Sequence, residues 1–385
     1  MKKFLALILA LVMSLSLVAC GGSKTEEKPA EEKPAETEQP AEATPDYAVA
    51  MITDYGDITD QSFNQTTYEA CKAYCDTNGI QFNYYKPAGD STAERVAMVE
   101  KAVDEGYTVI VMPGYAFGET ITQVADEYSD ITFIALDVGE GDLGGYTLPG
   151  NVYCAVYQEE LCGYMAGYAA VKLGYTHLGF LGGMAVPAVV RYGYGFVQGA
   201  DAAAAETGAS VTLEYVYGNQ FWGDADITAY MDNWYQTLGV EVVFACGGGI
   251  YASAAEAAAK VDGKVIGVDV DQAGIIDGGY GEGMTVTSAM KGLAPTVEHM
   301  LTEVAAGNFS NYGGKIETLG LVSGDDPEAN YVQIPMESTQ WSDSFTQDDY
   351  KALVKDMFDG KITVSNDISA MPQTAITVNE YGNIK

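Results

Sequence analysis

An alternation that begins at Tyr47 constrains this chain most: short runs rich in β-branched and aromatic residues, each followed by a stretch of helical character. Such a pattern builds parallel sheets wound by crossover helices, because parallel neighbours cannot be joined by a tight turn. Strands are expected at 47–53, 81–86, 107–112 and 131–136, with helices at 62–77, 92–104 and 119–127. An extended segment at 151–157 leads into a helix at 159–173, and strands resume at 178–181, 211–217, 242–245 and 265–268. Helices at 187–206, 225–238 and 251–260 separate them; a strand at 284–290, a helix at 294–306, weaker strands and a helix at 347–358 follow. The expected fold class is α/β, with two doubly wound parallel-sheet lobes joined by a three-strand hinge. Crossings are expected near 154–157, near 287–290 and between 319 and 332, which assigns 47–154 plus 288–320 to lobe one and 155–287 plus 325–385 to lobe two. One large sheet, or two independent domains, is the competing arrangement.

Ahead of this region, Lys2 and Lys3 precede an apolar stretch at 4–18 that is too short for a stable membrane span. It ends in Leu17-Val18-Ala19-Cys20, which has the form of a lipobox, so residues 1–19 read as a lipoprotein signal peptide and Cys20 as the lipidated mature N-terminus. The chain is then expected on the extracytoplasmic face of the cell membrane; an ordinary secretory signal ending near a cysteine is the plain alternative. Residues 20–46 are dominated by Glu, Pro, Ala and Lys, cannot bury enough apolar surface to fold, and read as a disordered tether.

A formal charge of −35 with only two arginines, Arg95 and Arg191, argues against nucleic acid, an anionic membrane surface or a multiply phosphorylated ligand. A neutral or cationic ligand is expected. Beyond Cys20 the cysteines are Cys71, Cys75, Cys154, Cys162 and Cys246; the first two lie one helical turn apart and read as core packing. His177 and His299 have no metal-ligand spacing to a cysteine or to each other, so no metal, cofactor or histidine-based triad is expected.

In open α/β sheets ligands bind beyond the carboxyl ends of the strands. After the first strand comes the acid-rich loop from Asp54 to Asn64, in which Asp60 or Ser62 can cap the following helix. A cap does not explain Phe63 beside Asn64, a stacking face next to a paired donor and acceptor that suits a heterocyclic base. Gly247-Gly248-Gly249 follows a strand and lets backbone approach a ligand, but lacks the Lys and Ser/Thr of a phosphate loop. Asp269 and Asp271 end another strand, two residues apart and so expected on one face; a carboxylate there can accept the vicinal hydroxyls of a ribose. Lys291 is the only lysine or arginine between Lys264 and Lys315 and falls at the expected hinge.

The run MITDYGDITDQSFNQTTYEA resembles the first strand, loop and helix of the basic membrane protein family of ABC-transporter substrate-binding lipoproteins, whose characterised members include purine nucleoside receptors. Further resemblance at 109–115, 134–137, 158–168, 179–199, 244–249, 267–272 and 285–291 covers nearly all of the globular region. It implies a type I periplasmic-binding-protein-like fold, in which Asp54, Phe63, Asn64 and Asp137 face the base from lobe one. From lobe two it implies an aromatic over the opposite face: Trp222 if the aspartates are aligned, with Phe221 left open because this loop reads Phe-Trp-Gly-Asp where the family has an aromatic-Ser-Asp-Pro pattern. It implies a ribose contact near Gly248, hydroxyl acceptance by Asp269 and a sugar contact from Lys291. The expected function is capture of a purine nucleoside by closure of the lobes and delivery to an ABC permease, by a monomer that is not an enzyme. A receptor for a free sugar, a nucleoside hydrolase, and a surface sensor or adhesin are the rival readings; the hydrolase lacks an activated nucleophile or metal-bound water.

Overall fold

The computed structural model describes residues 47–384; the expected signal peptide, Cys20 and the tether lie outside the described residues. The first elements are β1 (Val49–Ile52), α1 (Phe63–Asn78), β2 (Phe82–Tyr85), α2 (Thr92–Asp104), β3 (Val109–Pro113), α3 (Phe117–Val124), β4 (Thr132–Leu136) and β5 (Val152–Tyr157). Next come α4 (Glu159–Lys172), β6 (His177–Gly182), α5 (Pro187–Thr207), β7 (Thr212–Tyr217), α6 (Ala225–Asn233), β8 (Val242–Cys246), α7 (Tyr251–Ala258), β9 (Lys264–Asp269), α8 (Ala273–Tyr280) and β10 (Thr285–Lys291). The chain finishes with α9 (Leu293–Ala305), β11 (Lys315–Leu319), β12 (Val332–Gln333), α10 (Gln347–Phe358) and β13 (Thr377–Asn383).

Strands such as VAMI in β1 and VIVMP in β3 are buried along their whole length, as parallel strands covered on both faces must be. They form a six-stranded sheet of order β11-β5-β4-β3-β1-β2 and a seven-stranded sheet of order β12-β10-β9-β8-β6-β7-β13. All paired strands run parallel except β10 with β12. The fold is thus α/β with two parallel-sheet lobes, as the alternation predicts.

The lobe boundaries differ in detail from the expected ones. A boundary after Cys154 cuts β5, which belongs whole to the first sheet, and one after Thr287 cuts β10, which belongs whole to the second. The chain therefore crosses at 158, at 292 and over 320–331. Backbone bonds join these segments: Gln158 N–H donates to Leu319 O, Tyr331 N–H to Gly320 O, and Gly292 N–H to Tyr331 O. Helix α8 had no expectation in the sequence, since Gly278 and Gly279 weaken its propensity; it forms with Ile276 fully buried.

Helices α4 and α5 pack backbone against backbone. A Cβ on Gly167 would lie 2.1 Å from Phe196 O, and one on Gly199 would lie 2.0 Å from Tyr164 O, so only glycine permits the backbones to touch. This seam sets the first turns of both helices, carrying Glu159 and Arg191, side by side at the end of the second sheet.

Candidate functional site

Both sheets reverse strand order near their middle, at β1/β3 and at β6/β8, and crevices open outside the strand ends there. A cavity of about 820 Å³ lies between the two sets of loops. All eight residues singled out from the sequence line it: Asp54, Phe63, Asn64, Asp137, Trp222, Gly248, Asp269 and Lys291.

On the lobe-one side, Asp54 follows β1 and its Oδ1 accepts from the Tyr55 and Gly56 amides, each at 2.7 Å. Burial raises its pKa above the ordinary value, and those two amides oppose the rise. Asp60 caps α1, accepting from the amides of Ser62, Asn64 and Gln65 at 2.9, 3.0 and 3.1 Å. Ser62, the other expected cap, makes no such bond. Its hydroxyl instead crosses the cleft and donates to Asp269 Oδ2 at 2.6 Å. Asn64 gives its Nδ2 to Asp60, whereas Asn64 Oδ1 is buried without a hydrogen-bond partner among the described residues, as is Asp137 Oδ1.

On the lobe-two side, the glycine run lets the 221–222 loop lie directly on the end of β8. A Cβ on Gly248 would stand 2.8 Å from Phe221 O, and Gly249 N–H donates to that carbonyl at 2.9 Å. The Phe221 ring is wedged against Gly183 and Gly247. Trp222 is 52 % exposed at the cavity rim, and the half-buried Phe221 lines the cavity beside it. Asp269 and Asp271 do not share a face, contrary to the spacing expectation: Asp269 sits at φ 66°, which breaks the strand's alternation. Asp269 turns inward, and exposed Asp271 accepts from Ala273 N–H at the start of α8.

Lys291 is the centre of the charge arrangement. Its Nζ lies 2.5 Å from Asp137 Oδ2, 3.5 Å from Glu159 Oε1 and 3.7 Å from Asp269 Oδ1, and 4.7 Å from the centroid of the Phe63 ring. Burial disfavours the ammonium, but Asp137, Asp269 and Glu159 together outweigh burial and hold its pKa above the ordinary value. Asp269 also accepts from Tyr192 OH at 3.2 Å; burial raises its pKa, against Lys291 and the Ser62 bond. Arg191 gives its Nε to Glu159 Oε2 at 2.6 Å.

Sequence reasoning missed Tyr55, Tyr115, Arg191, Tyr192 and Ile368 as lining residues. Arg191 had a usable signal, being one of two arginines in a chain with 54 acids. The tyrosine hydroxyls had none: those of Tyr55 and Tyr115 both point at Met184 Sδ in the other lobe, at 3.6 and 3.9 Å. The five cysteines within the described region are buried and unbridged. No helix among the described residues is long and apolar enough to cross a membrane.

The family described as ABC transporter substrate-binding protein PnrA-like (Bmp) matches residues 47–355. A CD4+ T-cell-stimulating antigen of Listeria innocua is 28 % identical over 335 residues, covering 82 % of this chain and 87 % of that protein. An ABC transporter nucleoside-binding protein of Lactococcus lactis subsp. cremoris is 25 % identical over 336 residues, covering 83 % and 89 %. An ABC transporter solute-binding protein from Conexibacter woesei superposes with a TM-score of 0.64 at 22 % identity, covering 83 % of this chain and 99 % of that one, a likeness of fold. The family is one of solute-binding proteins rather than enzymes, and that role implies a captured solute and a permease that receives it. With the match spanning most of the described residues and the cleft between two parallel-sheet lobes, the chain belongs to the PnrA-like (Bmp) family of ABC transporter substrate-binding proteins.

Proposed function

We propose that the cleft captures a purine nucleoside and that its closed form delivers the nucleoside to the permease. The observation that carries this reading is a ring flanked by unpaired acceptors: Phe63 lines the cavity together with Asn64 Oδ1 and Asp137 Oδ1, both buried without partners among the described residues. A planar base stacks on the ring while its N–H edge supplies the missing donors. Trp222, exposed at the rim, covers the opposite face from lobe two. Asp269 and Lys291 meet the sugar hydroxyls, beside the glycine run at Gly248. Among the lining residues are seven carboxylates and two cations, a balance that disfavours a phosphorylated ligand. The relative of Lactococcus lactis named as nucleoside-binding agrees with this choice of ligand.

Capture works through closure. Ser62 to Asp269, Gln272 Nε2 to Gln61 O, and the Tyr55 and Tyr115 hydroxyls to Met184 Sδ all bridge the lobes. A ligand that touches both lobes stabilises the arrangement in which these contacts form. The monomer is displayed on a lipid carried by Cys20, and metabolic labelling that found no fatty acid on the chain would overturn that anchor. Calorimetry with a nucleoside, its free base, its 2′,3′-dideoxy analogue and free sugars tests the ligand. The nucleoside should bind at least about tenfold more tightly than base or dideoxy analogue, from the worth of hydrogen bonds to a charged group. Equal affinity for nucleoside and base sinks the ribose contact, and a preference for free sugars makes this a sugar receptor.

A further inference from the structure

Residues 356–384 lie beyond the 47–355 stretch that the family match covers, yet they reach the cleft. After α10 the chain runs over 361–376 without helix or strand, laid along α5 and tied to it twice. Gln198 grips Ser365 with both ends of its amide, donating to Ser365 O at 3.0 Å and accepting from Ser365 N–H at 2.9 Å. Asp201 Oδ1 accepts from the Ala375 and Ile376 amides at 2.7 and 3.1 Å. Strand β13 then adds itself beside β7, where Asn379 and Tyr381 donate to the buried Glu214 at 3.2 and 2.7 Å.

Between the two ties, Ile368 joins the cavity wall together with Val186, Pro187, Val189 and Arg191 at the start of α5. The reach is consistent with the clamp. Seven residues of helix from Gln198 back to Arg191 span about 10 Å, and three extended residues from Ser365 to Ile368 cover up to about 10 Å. The Gln198 grip therefore sets where along α5 the strap lays its isoleucine. Ile368 is a large apolar side chain left 38 % exposed, and its remaining surface is available for a ligand to cover.

We propose that this strap is an added wall of the ligand cleft and that Ile368 is a selectivity residue, closing the end nearest α5 against bulky or charged ligand groups. The proposal rests on the reading of the cleft as a nucleoside site. Full-length Ile368→Gly and Gln198→Ala are compared with wild type for binding of adenosine, N6-benzyladenosine and 5′-deoxy-5′-methylthioadenosine by calorimetry and stopped flow. Ile368→Gly should weaken adenosine binding about three- to tenfold, mostly through a faster off-rate, since one partly covered apolar side chain is lost. The affinity of at least one bulky analogue relative to adenosine should rise, and Gln198→Ala should move both quantities the same way by less. Adenosine binding with unchanged affinity, off-rate and selectivity in both variants overturns the strap wall and leaves the nucleoside site standing. A wild type that binds no nucleoside overturns the nucleoside site instead, and the strap is then decided by hydrogen exchange without ligand. The Ser365, Ala375 and Ile376 amides should be protected in wild type, with Ser365 losing protection in Gln198→Ala; exchange at unprotected rates in wild type overturns the strap as well.

Discussion

In lobe one the strands run β2-β1-β3-β4-β5 across the sheet, and in lobe two β7-β6-β8-β9-β10 run in the matching order. Corresponding strand ends carry corresponding backbone. Gly114 after β3 and Gly247 after β8 have φ of 127° and 152°, and Asp137 after β4 and Asp269 at the end of β9 have φ of 60° and 66°. A non-glycine residue in the left-handed region costs of order 1–3 kcal/mol and clusters at functional sites, so its occurrence at both equivalent ends marks the shared frame of the cleft. The chemistry mounted on that frame differs. After the central strand lobe one places Asp54, whereas lobe two places Gly183 and fills the space with Phe221. Asp137 keeps one oxygen without a partner among the described residues, while both oxygens of Asp269 already accept, one from Ser62 of the opposite lobe and one from Tyr192. The same backbone device thus leaves a carboxylate oxygen unpartnered at the cleft in one lobe and helps to hold the lobes together in the other.

The largest expected effect falls on the residue the two aspartates share. Lys291→Met leaves Asp137, Glu159 and Asp269 without their common cation, and removal of one partner of a buried charge group costs about 3–5 kcal/mol. Urea melts of the ligand-free protein should register that loss, and a loss under about 1 kcal/mol would mean the lobes carry their acids independently.

Glu160 distinguishes lobe two by pH. Burial, with Glu159 adding, pushes its pKa from 4.5 up to about 7. The folded state then binds this proton more tightly than the unfolded state, so stability is lost as pH rises from about 4.5 to about 7, by about 3 kcal/mol for a shift of that size. Glu160→Gln should be more stable than wild type at pH 8 and should flatten the difference between pH 5 and pH 8. Hydrogen exchange should place the gain at the α4–α5 seam, and a gain spread evenly over both lobes would count against the assignment.

The aspartates themselves come next. Asp137→Ala should weaken nucleoside binding by about ten- to a hundredfold, the worth of a hydrogen bond to a charged group. Asp269→Ala should cost less in affinity, since protein donors already occupy two of its acceptor positions, and should mainly narrow the preference for nucleoside over free base. Equal losses at the two sites would break the contrast between the lobes. The smallest change is expected from Ser62→Ala, which removes one bridge between lobes and should raise the nucleoside off-rate about three- to tenfold with little change in the on-rate. An unchanged off-rate would show that the Ser62–Asp269 bond does not help hold the closed form.

Much of this was legible in the sequence because it is local. Helices α2 and α10 occupy 92–104 and 347–358 as their periodicity predicts, and the strand-end loops carry Asp54, Asn64 and the glycine run to the cavity. The sequence by itself determined the alternation, hence the two wound sheets, and the chemical types available at their ends. Only the tertiary structure decided how those types pair. The hydroxyl of Ser62, at the N-cap of α1, found a partner 207 residues away, Lys291 found Asp137 at 154 residues and Glu159 at 132, and the Phe221 ring came to rest against Gly183 and Gly247. Helix α8 formed against its glycines because burial of Ile276 outweighs a weak propensity. Period and propensity act over one or two turns of chain. Hydrogen bonds and charge pairs between strand ends depend instead on where two sheets come to rest, and that is fixed by the packing of the whole core.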